Sequence, residues 1–370
     1  MLAELAPHPH ALAVLGPALA PAGRPSHAYL FYGPGGSGKR AAAIAIAAEL
    51  LAADSPDPDS TRLRVSLRAH PDLTWVAPSG AHEILVSDID GPVVAAASRT
   101  PFEGSRRVFV IERVDELGDE AANRMLKTLE EPPAFVHLIL LTDRLVEVLP
   151  TIRSRCQLIR FDAPPAQTVA AALQARGSDR EAAIACARLS LGDGERAREL
   201  ATAQGTALRA GAEQFATAVL AGEAVRVKPW AALLAAVRAR GDAKRAELES
   251  RAAQELELYP RKERRRIETE WNERIRRARR RAETQTLDLA LQLVSLWFAD
   301  LMILSWGAQD LVRHADRIDR LRRQQDEVES GRLRAAIELV EDARQRFALN
   351  VSEELACEAL AYGLERTLLS

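Results

Sequence analysis

The stretch Gly33-Pro34-Gly35-Gly36-Ser37-Gly38-Lys39-Arg40 constrains the fold more than any other part of the chain. It follows an apolar run at 28–32 and opens an alanine-rich segment at 41–53. Strand, glycine loop and helix therefore come in the order that a phosphate-binding loop requires. Glycines let successive backbone N–H groups converge on phosphate oxygens at a helix N-terminus, and the lysine adds a cation. Gly33, Gly35, Gly36, Ser37, Gly38 and Lys39 fit that cradle. Arg40 stands where Ser or Thr would place a hydroxyl on Mg²⁺, and a cation cannot ligate a cation.

A nucleotide hydrolase also needs an acidic pair at the end of a later strand, to hold the metal and to polarise the attacking water. The apolar run 108–111 is the candidate strand, and it leads into Glu112-Arg113. Glu112 is one methylene longer than the usual aspartate, and Arg113 cannot act as a base. Asp115 and Glu116 lie further on, and a shifted register that rescued one of them would give an active motor. Losing a hydroxyl ligand, an aspartate and a base together points instead away from efficient hydrolysis. Phosphate binding at Lys39 without a metal stays open.

Around the loop, strands are expected at 73–77, 83–86, 108–111, 137–141 and 157–161. A turn is expected at Pro78-Ser79-Gly80. Helices are expected at 41–53, from Ser87 or Asp88 to about 99, and at 119–129, whereas 60–71 is polar with no clear period. Alternation of this kind implies an α/β fold, a doubly wound parallel sheet with helices on both faces, over residues 1–162. Beyond Pro164-Pro165 the strand signal stops. Short helices broken at Gly177, Gly192, Gly194 and Gly205 suggest a small helical lid at 163–222. A third, all-helical domain is expected at 223–370, with its last helix opened by a capping box at Asn350-Val351-Ser352-Glu353.

A net charge of -2 argues against a dedicated polyanion binder but leaves room for a local basic surface. Cys156, Cys186 and Cys357 are too few and too scattered for a disulfide framework or a zinc module. The N-terminus shows no basic segment before an apolar core, and the apolar stretch 287–306 is interrupted by Asp288 and Asp300. The expectation is a cytoplasmic protein with no membrane span.

Several stretches resemble the bacterial clamp-loader branch of the AAA+ family. They are Ser26-His27-Ala28-Tyr29-Leu30-Phe31-Tyr32-Gly33, His70-Pro71-Asp72, Ala121-Ala122-Asn123-Arg124-Met125-Leu126-Lys127-Thr128-Leu129-Glu130-Glu131-Pro132-Pro133 and Ile152-Arg153-Ser154-Arg155-Cys156. The likeness covers roughly residues 25–162. It implies a P-loop AAA+ domain, a lid, and a C-terminal collar for oligomerisation. It also implies a place in a ring of the DNA polymerase III holoenzyme, beside ATPase and delta-like subunits. That ring places a sliding clamp on primer-template DNA, and the polymerase chemistry belongs to other subunits. By the same likeness Arg155 is an arginine finger acting on a neighbour's γ-phosphate, Thr142 matches a first sensor, and Arg196 a second. The chain's own site, with Arg40 and Glu112, then reads as vestigial, with no cofactor required. Members of this branch commonly carry a four-cysteine zinc module after the loop helix. Residues 54–70 contain no cysteine, so no zinc is expected.

Residues 240–283 look like an insertion forming a charged helical hairpin. Ile267, Trp271, Ile275, Ala278 and Ala282 fall on one helical face, and Pro260 would start that arm. Its arginine runs, 261–266 and 276–281, are interleaved with glutamates, so i,i+4 pairing on a solvated helix is the expected role. A nucleic-acid-binding scaffold is the alternative. Trp297 and Trp306 are expected in the core or a ring interface.

Overall fold

The computed structural model describes residue 5 and residues 8–20, 23–78, 83–257, 261–325, 328–347 and 352–369, without the side chains of 255, 257, 261–263, 266, 270 and 347. It divides into two compact units, Met1–Pro164 and Pro165–Ser370.

The first unit runs α1 (Pro9–Ala18), β1 (Ala28–Tyr32), α2 (Lys39–Ala52), α3 (Pro58–Ser66), β2 (Leu73–Val76), α4 (Val86–Ile89), β3 (Arg107–Ile111), α5 (Asp119–Glu130), β4 (Val136–Thr142), α6 (Pro150–Arg153) and β5 (Gln157–Arg160). The strands form one sheet in the order β2-β3-β4-β1-β5, and every pairing is parallel. This is the expected α/β architecture. Every residue of β3 and β4 is buried, as a parallel sheet covered on both faces demands. Successive side chains alternate between faces. Tyr29, Phe31, Val108, Val110, Ile139 and Leu141 join Ala43, Ile46 and Leu50 of α2. Leu30, Phe109, Ile111, Leu138 and Leu140 join Ala121, Met125 and Leu129 of α5. Because β1 has β4 on one side and β5 on the other, the loop after β1 opens where the strand order reverses, the place where α/β sheets offer a crevice.

Two local expectations are corrected. Residues 58–66 form α3, because Pro58 is pre-set for the first turn and the Asp57 carboxylate accepts from Ser60 N. The strand expected at 83–86 is a single parallel bridge, Ile84 to Leu117. Its continuation folds as α4, where Asp88 accepts from Leu85 N at 3.0 Å, and then as a π-turn at Asp90–Ala95. Ser79 and Gly80 of the expected turn lie outside the described residues.

The second unit is helical throughout its described residues. Its elements are α7 (Ala166–Gln174), α8 (Arg180–Leu189), α9 (Gly194–Leu200), α10 (Ala203–Leu220), α11 (Ala224–Val227), α12 (Trp230–Glu257), α13 (Arg261–Ser305), α14 (Ile318–Gln324), α15 (Ser330–Phe347) and α16 (Glu353–Leu369). One hydrophobic cluster runs from Val169 of α7 to Leu368 of α16, so the segments read as lid and collar share a core. Gly177 and Gly192 lie between helices, whereas Gly194 and Gly205 fall inside the first turns of α9 and α10. Trp297 is buried, donating to Gln324 Oε1 at 3.0 Å, while Trp306 is 66% exposed.

Residues Ile267–Ser305 of α13 include a segment apolar enough to cross a membrane by length and composition, with mean hydropathy 1.7. Two thirds of it is buried inside the protein, at 67%, and Leu291, Val294, Trp297, Phe298 and Leu301 sit in the main cluster. It serves as the unit's core helix. The expected hairpin is present: Gly241 of α12 lies against Glu283, and Leu248 and Ala252 pack with Ile267, Trp271 and Ile275. Pro260, and Asn350 and Val351 of the expected capping box, lie outside the described residues.

Candidate functional site

The sheet order brings the C-terminal ends of β3, β4 and β1 side by side, with Tyr32 opposite Thr142 and Ile111 opposite Leu140. Glu112, Thr142 and the glycine loop are thereby gathered at one edge. Gly33 has φ +146 and a Cβ there would meet Phe161 O at 1.9 Å, so only glycine lets the loop turn against the end of β5. Gly38, at φ +90, forms the N-cap of α2.

Within this edge the charges are spent on one another. Lys39 is 6% exposed. Its Nζ donates to Gly33 O and Pro34 O, both at 2.6 Å, and to Ser37 Oγ at 3.2 Å. Asp143 Oδ1 lies 2.9 Å from it. Arg40 donates through Nε and Nη2 to Glu112 Oε2, at 2.9 and 2.5 Å, and Trp75 Nε1 donates to Glu112 Oε1 at 2.6 Å. Arg68 stacks over the Trp75 ring, 3.9 Å from its centroid. Arg40 and Glu112, two of the three positions that depart from an ATPase, are thus one ion pair, and the indole occupies the second carboxylate oxygen.

Thr142 is equally committed. Its hydroxyl donates to Asp115 Oδ1 at 2.8 Å and accepts from Arg144 N at 2.9 Å. The Asp115 side chain is 1% exposed, and Arg113 Nε lies 3.6 Å from its Oδ2. Arg113 turns the chain after β3 with φ 55 and pairs with Glu116 at 2.5 Å. Neither Asp115 nor Glu116 faces the loop as a free carboxylate. These residues do not fit a magnesium ion: a guanidinium stands at the hydroxyl position, and both Glu112 oxygens already accept. They retain backbone donors for a phosphate, at the cost of the bonds Lys39 now makes.

His8 closes the loop from the α1 side. Its Nε2 is 3.0 Å from where a Cβ on Gly38 would lie, and its ring centroid is 4.9 Å from that of Phe161. Burial pushes its pKa down, Asp162 pushes it up, and Lys39 pushes it down again. Sequence reasoning missed His8, Trp75 and Asp143. An acid directly after a strand end was a usable signal for Asp143; no motif marked the others.

Arg155 lies elsewhere. It precedes β5, whose first residue Gln157 pairs with Tyr29 near the start of β1. It therefore sits at the opposite edge of the sheet, about 13 Å of strand from the glycine loop. Its Nη2 is 2.5 Å from Glu130 Oε1 at the end of α5, with its side chain 34% exposed. Its Nη1 donates to Thr151 O at 2.9 Å and Ser154 Oγ at 3.2 Å. Burial pushes the thiol of the next residue, Cys156, up to about 12, so it stays protonated where it packs against the sheet core. Arg196 belongs to the second unit, where Nη1 donates to Gln292 Oε1 at 3.0 Å.

Known proteins match this first unit. Residues 8–165 match the family described as DNA polymerase III, delta subunit. The DNA polymerase III subunit delta-prime of Pseudomonas aeruginosa is 36% identical over 136 residues, 35% of this chain and 42% of that one. The delta-prime subunit of Bacillus subtilis is 36% identical over 142 residues, 37% and 43% of the two chains. The gamma/tau subunit of Mycobacterium bovis is 32% identical over 192 residues, 49% of this chain and 32% of that one. The chain spans less than half the length of these curated relatives. Over residues 8–165, which carry the glycine loop and Arg155 alike, the chain is similar to the delta and delta-prime subunits of DNA polymerase III.

Proposed function

We propose that this chain is a clamp-loader subunit of a bacterial DNA polymerase III holoenzyme that does not hydrolyse ATP and serves its neighbour. The Arg40–Glu112 ion pair carries the first half of this reading, because it fills the place where a metal-bound nucleotide needs a hydroxyl and a free carboxylate. Arg155 carries the second. At the far edge of the sheet, about 13 Å of strand from its own loop, it would instead meet a nucleotide held by an adjacent subunit. There a guanidinium would stabilise charge on the phosphoryl oxygens with two parallel donors. Glu130 is the anion it would exchange for that phosphate. Thr142, tied to Asp115, and Arg196, tied to Gln292, have no phosphate to sense in this reading.

The partners that follow are ATPase and delta-like subunits, and through the assembled ring a sliding clamp and primer-template DNA. The helical second unit supplies the collar. Such a subunit works in the cytoplasm on the replicating chromosome. The test is ATP hydrolysis by the purified chain with Mg²⁺. The expected result is no turnover above background; turnover abolished by Lys39→Ala would overturn the assignment.

A further inference from the structure

The hairpin arm carries a surface that the ring role does not use. Leu248, Ala252, Ile267, Trp271 and Ile275 form a small core separate from the main cluster, so the arm is a two-helix projection of the second unit. At 100° per residue, Arg265, Thr269, Asn272 and Arg276 fall on the side of α13 opposite that seam, and all four are exposed.

Five of the arm's acids make ion pairs. Glu247 pairs with Lys244 and Arg251, Glu249 with Arg245, Glu273 with Arg277, and Glu283 and Asp242 with Arg279. The expected i,i+4 lacing is therefore real, but it leaves a surplus. From 264 to 281 there are nine arginines against three glutamates, in a chain whose net charge is -2. Arg265 and Arg276 make no ion pair among the described residues. They lie about 16 Å apart along the helix, with the amide of Asn272 between them, while the Thr269 hydroxyl donates to Arg265 O at 2.9 Å.

We propose that this stripe is a contact surface for the phosphate backbone of nucleic acid. Two guanidinium groups that make no ion pair among the described residues, on a segment with nine arginines against three glutamates, suit a row of phosphates even with Glu268 and Glu273 flanking them. The contact is independent of sequence and of the ring reading, since it belongs to the isolated chain.

The test is fluorescence anisotropy of a labelled 20-base-pair DNA duplex with the full chain, from 50 to 200 mM salt. Arg265→Gln/Arg276→Gln is compared with wild type and with Arg334→Gln, which removes an exposed arginine of α15 paired to Glu338. Circular dichroism checks that helix content is kept. Expected are salt-dependent binding by wild type, affinity lowered roughly tenfold in the double variant, and a log–log salt slope reduced by about 2. No binding at 50 mM salt, an unchanged double variant, or an equal loss in Arg334→Gln would overturn the proposal.

Discussion

The two edges of the sheet in the first unit treat charge differently. At the edge holding residues 33–40, each cation has an anion of the same chain: Lys39 has Asp143, and Arg40 has Glu112. Lys39 and Glu112 are also buried. At the opposite edge Arg155 is held by an exposed carboxylate and backbone oxygen, so its fork can be exchanged without uncovering a buried charge. One edge holds its charges in pairs with one buried member each, and the other holds its cation on an exposed carboxylate that solvent reaches. The same residue type thus has opposite prospects, set by burial and by the strength of the local partner.

Four results would break or sharpen that comparison. The largest expected effect is Arg155→Ala in a reconstituted ring: hydrolysis at the served site should fall about 10³-fold while the complex still assembles, read by steady-state ATPase and gel filtration. Unchanged turnover would remove the exchangeable edge from the account. Next is Glu112→Ala, which leaves Arg40 and the Trp75 indole without their acceptor. It should cost about 2 kcal/mol in urea unfolding of the first unit's transition, and a loss near zero would show that the pair does not hold the loop. Asp143→Asn should cost less, about 1 kcal/mol, because that carboxylate is partly solvated. A larger cost than for Glu112→Ala would reverse the ranking of the two pairs.

The smallest effect is on pH dependence. His8, His70 and His137 all have pKa values lowered from 6.5, each chiefly by burial. The unfolded chain therefore takes up these protons first. Stability is complete above about pH 6.5 and falls as pH drops from there toward the folded pKa values. His137→Asn should flatten the change in urea midpoint between pH 7.5 and 5.5. A midpoint that rises on acidification would contradict the sign.

The sheet was legible because β1, β3 and β4 are continuous apolar runs, which parallel strands require. Arg40 and Glu112 were legible as departures from a pattern, but not as partners. They are 72 residues apart, and only the order β3-β4-β1 brings their ends together. Helix α3 was hidden because it buries only Thr61 and Val65, too little for a period to show. Its start was encoded in Asp57-Pro58, a cap rather than a pattern. The partner of Arg155 was hidden for the same reason as that of Arg40. Glu130 lies within the motif that carries the family likeness, yet nothing in its spacing points to residue 155.

The measurement that tests the central claim most directly is ATP turnover by the reconstituted ring with Lys39→Ala and with Arg155→Ala, each in assembled complexes of equal composition. The account predicts near wild-type turnover for Lys39→Ala and a deep loss for Arg155→Ala. A deep loss for Lys39→Ala with Arg155→Ala unaffected would place the chemistry in this chain's own loop and contradict it.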